Sequence, residues 1–258
     1  MRRYIAVSLS LFLLLTQFSF ASVVAPDFSL QGEGDTVYRL SDFKGKPLIL
    51  FFFSFSCGHC ERAMPVVKEL YKKSDGKYNI LGVVYGTPKE DLRYKKIETG
   101  TELPVALGTK KIREDYKVSG TPYFWIIGPD GTLKERFVGE KGAELLKEGT
   151  QGEFRVGLFE LSSDPKSYEG KVIETGGLLI QTTPSYFPKP VFMLTNGVDK
   201  IRILSWLPLE VAPSPKGFKK RRGKVMSDFL DKYVTISGKV VLQDGKPFIE
   251  VKNAKLLE

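Results

Sequence analysis

The chain has 258 residues, 42% hydrophobic and 27% charged, which is a globular composition with room for two cores and excludes a disordered or multispanning protein. Net charge is +9, and more than half of the excess lies beyond residue 145, so any basic surface belongs mainly to the second half. Both cysteines and the only histidine fall within four positions, Cys57 to Cys60, so thiol and soft-ligand chemistry has a single address.

In chain order, Arg2 and Arg3 precede an uncharged apolar run from Tyr4 to Ala21 that ends in small residues. This reads as an export signal cut after Ala21, with an uncleaved N-terminal anchor as the alternative. The protein is therefore expected outside the cytoplasm, in the periplasm or on the outer face of the cytoplasmic membrane. Short extended segments at Phe28–Leu30 and Val37–Leu40 flank an acidic turn. The unbroken apolar run Leu48 to Phe53 predicts a strand buried on both faces of a mostly parallel sheet. From Gly58 the period becomes helical, with Ala63, Val66, Val67, Leu70 and Tyr71 on one face. A second buried strand, Ile80 to Tyr85, follows. Helical stretches at Glu90–Ile97 and Lys110–Tyr116 lead to a strand at Tyr123–Ile127. Asp130-Gly131 then turns a hairpin into Leu133–Val138. Strands alternating with helices indicate an α/β domain over residues 22–148.

Cys57 thus stands where a buried strand gives way to a helix N-terminus, and unpaired N–H groups with the helix dipole favour a thiolate there. Cys60, one turn further in, shares less of that benefit. The asymmetry makes Cys57 the attacking thiol and Cys60 the resolving one, with His59 expected to stabilise the Cys57 thiolate. A structural disulfide closing so short a loop would stabilise little. Zinc would need a fourth ligand, and no metal site is expected. Two thiolates could carry Cu(I) without any enzymatic step, which stands as the alternative from another class.

The CGHC motif at the strand-to-helix junction, Pro65, Val118-Ser119-Gly120-Thr121-Pro122 and Pro129-Asp130-Gly131 together resemble a thioredoxin fold. The opening APDFSLQGEGDTVYRLSDFKGKPLILFFF resembles exported thiol–disulfide oxidoreductases of the TlpA–ResA type, including those serving cytochrome c maturation. The resemblance implies a cis Pro122 packed on the dithiol, with Thr121 and Pro122 offering a strand edge to a substrate peptide. It implies a Cys57–Cys60 redox-active disulfide and no further cofactor. Partners would be exported proteins carrying disulfides or dithiols, plus a membrane electron donor. Reduction is the preferred direction; CGHC, shared with protein disulfide isomerases, argues the other way, toward oxidation or isomerisation. Three positions depart from the pattern. Ser56 replaces a Trp, Phe51 a buried acid, and Ala63 a Glu, which leaves no identified proton acceptor for Cys60, Glu61 being as well suited to the helix surface. Leu50, where a peroxiredoxin would carry Pro, speaks against peroxide reduction.

Residues 149–160 read as a linker. Beyond them, strands at Lys171–Ile180, Val191–Thr195, Lys200–Trp206, Tyr233–Val241 and Phe248–Val251, with hairpins at Asn196-Gly197 and Asp244-Gly245 and a short helix at Val225–Leu230, resemble an all-β OB-like barrel over 161–258. The basic run containing Lys219, Lys220, Arg221 and Arg222 is either a solvated loop or a dock for anionic lipid or an acidic partner; nucleic acid is not expected. Trp206, Phe187 and Tyr186 suit aromatic core better than a barrel-mouth site.

Overall fold

The computed structural model describes residues 22–149, 155–182, 191–205 and 229–256. A small hairpin of β1 (Ser29–Gln31) and β2 (Val37–Arg39) precedes the main sheet. That sheet has the order β5-β4-β3-β6-β7, from Val105–Leu107, Asn79–Val84, Leu48–Phe53, Tyr123–Ile127 and Leu133–Val138. β3 runs parallel to β4 and antiparallel to β6, so the predicted α/β alternation ends in the predicted hairpin. Every residue of β3 is buried because helices or loops cover both faces. Ile49, Phe51 and Phe53 face α1 (Gly58–Lys73) and α4 (Gly139–Gly149), whereas Leu48, Leu50 and Phe52 pack with Ile112 and Tyr116 around α3 (Lys110–Asp115). Phe51 stacks on Phe53 at 4.7 Å and on Phe124 at 4.9 Å.

Two elements differ from expectation. β5 was not foreseen, because three residues between Pro104 and Gly108 offer no period to read. It forms by parallel pairing with β4, a tertiary cause. Residues 158–160, expected as linker, are the first turn of α5 (Leu158–Ser163), whose Leu158 and Leu161 enter the core of the second half. α2 (Leu92–Glu98) lies close to its expected place.

The second half is a closed five-stranded barrel in the order β10-β12-β11-β8-β9. Its strands are β8 (Val172–Gln181), β9 (Phe192–Thr195), β10 (Lys200–Ser205), β11 (Tyr233–Gln243) and β12 (Lys246–Leu256). β10 and β12 are parallel, and the other neighbours are antiparallel. Asp244 and Gly245 both take positive φ, as a two-residue hairpin turn requires. β12 runs longer than Phe248–Val251 because its polar-looking end still pairs with β11. At the bulge between Ser237 and Gly238, a Cβ on Gly238 would lie 2.5 Å from Ile249 and 2.6 Å from the Glu250 carbonyl. Only glycine fits that approach.

The two halves join along edge strand β7. Arg136 makes a bidentate pair with Asp199 at 2.9 and 2.8 Å and lies over the rings of Trp125 and Phe159. Its neighbour Glu135 is buried and accepts hydrogen bonds from the N–H groups of Leu158 and Phe159 at the start of α5 and from the Asn196 amide. The sheet edge is thereby met by the start of α5 and the turn between the second and third barrel strands.

Candidate active site

Cys57 is the N-cap of α1, and its Sγ accepts from the Cys60 backbone N–H at 3.4 Å. β3 delivers it to the sheet's end, and the turn Ser54–Ser56 reverses the chain, closed by Cys57 N–H donating to the Ser54 carbonyl. Both cysteines are free thiols; Cys57 is partly exposed and Cys60 buried at 1%. The Thr121–Pro122 bond is cis, and the Cys57 thiol reaches the Thr121 carbonyl at 3.6 Å. Residues 64 positions apart thus meet at one surface point.

The two thiols are electrostatically unlike. Partial burial pushes the Cys57 thiol up, but bonds from the side chains of Cys60 and Thr121 and from the Cys60 and His59 backbone outweigh it. Cys57 ends below the ordinary thiol value. Burial, with the Cys57 hydrogen bond, pushes Cys60 up to about 11. At neutral pH, therefore, Cys57 carries the larger thiolate fraction and Cys60 keeps its proton.

His59 does not hold the thiolate with its ring. Arg62 donates from an Nη to His59 Nδ1 at 2.8 Å, and its Nε bonds Glu140 Oε2 at 2.8 Å; Glu140 lies 3.5 Å from the same Nδ1. Since guanidinium only donates, Nδ1 accepts and the ring proton sits on Nε2. His59 acts on Cys57 through its backbone instead. Glu140 stands in the first turn of α4, which Gly139 opens with φ +75 while its N–H bonds the Pro122 carbonyl. Arg62 was within reach of sequence reasoning, three residues from His59 on a helix. Glu140 was not, because 78 residues separate it from Arg62.

The departures have structural correlates. Phe51 and Ala63 are buried in one apolar cluster, where a carboxylate would need a partner that the apolar walls do not supply. Ser56 Oγ meets Ser54 Oγ at 3.0 Å. Pro65 sits within α1. Lys219, Lys220, Arg221 and Arg222, the aromatic residues Tyr186, Phe187 and Trp206, and the N-terminal run all lie outside the described residues. Among the described residues no group of three or more His, Cys, Asp or Glu side chains is placed to hold a metal. None of the described helices is long and apolar enough to cross a membrane.

An accessible thiol of low pKa beside a buried thiol of high pKa suits an attack–resolve sequence, and the five-stranded sheet with a cis-proline against it is thioredoxin-like. The first half is that of a thioredoxin-fold thiol–disulfide oxidoreductase. A family model described as AhpC/TSA family matches residues 22–136. The thiol-disulfide oxidoreductase ResA of Geobacillus kaustophilus is 33% identical over 126 residues, covering 48% of this chain and 72% of that protein. The thioredoxin-like protein YneN of Bacillus subtilis is 28% identical over 118 residues, 45% of this chain and 69% of that one. Among solved structures, the exposed lipoprotein thioredoxin Etrx1 of Streptococcus pneumoniae is 33% identical, covering 47% of this chain and 96% of that chain at a TM-score of 0.40. Through its first half the chain belongs to the ResA-type thiol-disulfide oxidoreductases.

Proposed function

We propose that the protein reduces disulfides in exported proteins, on the outer side of the cytoplasmic membrane. The Cys57 thiolate attacks one client sulfur, and the client disulfide breaks to leave a mixed disulfide and a client thiolate that takes up a proton. Cys60 then loses its proton and attacks Cys57 Sγ, forming the Cys57–Cys60 disulfide and releasing the second client thiolate. Two electrons pass from this dithiol to the client, so an external dithiol donor, at the membrane, must restore the pair. Thr121 and Pro122 supply the edge along which the client strand lies, and no cofactor beyond the dithiol takes part.

One observation carries the direction: the His59 ring is engaged by Arg62, which Glu140 holds in place, and not by Cys57. A histidinium at the thiolate would stabilise the reduced form and make the couple oxidising. Without that ring contact the couple lacks one source of oxidising power, which supports a reductant, and maturation of cytochrome c is one process that draws on such a reductant. Equilibration with glutathione or dithiothreitol buffers tests this. A potential near thioredoxin's, about −270 mV, supports a reductase; one between about −180 and −120 mV overturns it in favour of an oxidase or isomerase. The chain divides on this reading into a catalytic domain, 22–148, and a partner-orienting domain, 161–258. In the latter, the order β8-β9-β10-β12-β11 with parallel β10 and β12 supports an OB-type barrel.

A further inference from the structure

The surface around Cys57 and Pro122 is bordered by the barrel. β7 ends at Val138, which pairs with Tyr123 directly after the cis bond, and the Gly139 N–H donates to the Pro122 carbonyl. There β7 meets the turn between β9 and β10, residues 196–199. A Cβ on Gly197 would lie 3.2 Å from Val138 Cγ1 and 3.7 Å from the Val138 carbonyl oxygen, and Gly197 takes φ +95, so only glycine suits the approach. The turn is fixed from both ends. The Asn196 amide donates to Glu135, its Oδ1 accepts the N–H groups of Val198 and Asp199 at 2.8 and 2.7 Å, and Asp199 receives the Arg136 fork. Asn196 is 1% exposed and builds the turn, whereas Val198 is 36% exposed.

Neighbouring strands lie about 4.8 Å apart, so Gly197, one spacing beyond β7, stands about 10 Å from the start of β6 and the cis-proline before it. A client cysteine would be held at Cys57, whose thiol reaches the Thr121 carbonyl at 3.6 Å. An extended client advances about 3.4 Å per residue, so roughly three residues carry it from Thr121 to the turn. Most exposed valines need no explanation, but this one sits on a turn pinned by Glu135 and Arg136, within reach of a strand on the cis-proline edge. We infer that the turn 196–199 is an outer wall of the client site, and that Val198 favours clients with an apolar side chain about three residues from the reactive cysteine. Under the exchange reaction proposed above, on which this role rests, the barrel takes a direct part in choosing the client.

Alanine-based peptides with a single cysteine, each in a disulfide with thionitrobenzoate, are the probe. Cys57 attacks the peptide sulfur, the bond to thionitrobenzoate breaks, and the coloured thiolate leaves with the electron pair. The readout is the ratio of second-order rate constants for a peptide with one leucine and its all-alanine parent, which cancels any change in Cys57 itself. Leucine about three residues from the cysteine, on one side only, should raise that ratio to about threefold or more, and leucine next to the cysteine should not. Val198→Asp should bring the ratio back to about one, and Val198→Ile should keep it. Val198→Ser serves if Val198→Asp does not fold. A ratio that ignores leucine position, or that survives the polar substitution, overturns the role of the turn. Ellman's reagent, too small to reach the turn, keeps the two readings apart. Reaction with it but no leucine effect sinks the client wall alone, whereas no reaction with it or any peptide sinks the exchange reaction and the wall with it.

Discussion

At the scale of single residues, the asymmetry between Cys57 and Cys60 is the basis of the proposed exchange. On that mechanism, Cys60→Ser leaves the attacking thiol in place but removes the group that resolves the mixed disulfide. Thiol-sensitive adducts through Cys57 should accumulate in extracts from cells making this variant, whereas Cys57→Ser should give none. Folded Cys60→Ser protein without adducts would sink the exchange mechanism. The shifts also order reactivity with pH. Cys57, held below the ordinary thiol value, should alkylate with iodoacetamide at neutral pH, and Cys60 should stay silent until the pH nears 11. Arg62 lies close enough to the thiolate for mutual attraction, so Arg62→Leu should move the alkylation profile of Cys57 to higher pH. Glu140→Gln, which frees Arg62, should move it the other way. Mass spectrometry of alkylated peptides over a pH series checks both signs.

Elements carry consequences that no single residue shows. Strand β7 alternates buried and half-buried residues, and its buried carboxylate Glu135 meets the start of α5. Burial pushes that carboxyl up from the ordinary 4.5 to about 7, against bonds from the N–H groups of Arg136 and Leu158 and from Asn196, while nearby Asp199 adds to the rise. The folded state thus holds a proton between pH 4.5 and 7 that the unfolded chain has released. Stability is fullest below that window and falls as pH rises through 7, by up to about 3 kcal/mol. Glu135→Gln cannot ionise, so the difference between its urea-unfolding free energy and the parent's should grow over the window and level off above it. A difference independent of pH would mean that Glu135 is charged throughout. The same strand marks the limit of sequence reasoning. The run Leu48–Phe53, the CGHC junction and the Asp130-Gly131 hairpin were legible because burial, capping and turn chemistry are local. β5, the first turn of α5 and Glu140 were not, since each owes its place to contacts with distant segments. The ring orientation of His59 was hidden for the same reason: Glu140, which fixes the Arg62 that bonds it, is remote in the chain.

The whole molecule hangs on the seam between sheet and barrel. Arg136 is the strongest tie, because its side chain is 18% exposed and that of Asp199 only 9%, and two parallel bonds and two ring faces fix one guanidinium. Removing one partner of such a pair strands the other's charge, which costs about 3–5 kcal/mol. Each half has its own core, with the sheet clusters on one side and the barrel cluster on the other. Loss of the seam should therefore separate the halves before it unfolds either. In Arg136→Ala, amides of β11 and β12 should lose hydrogen-exchange protection at lower urea than those of β3 and β4, whereas the parent loses both together. Arg136→Lys keeps the charge but not the fork, so it should restore only part of the coupling. If both sets of amides still open together in Arg136→Ala, the apolar contacts of α5 hold the seam, with Phe159 edge-on to Trp125 at 4.7 Å as the next residue to truncate.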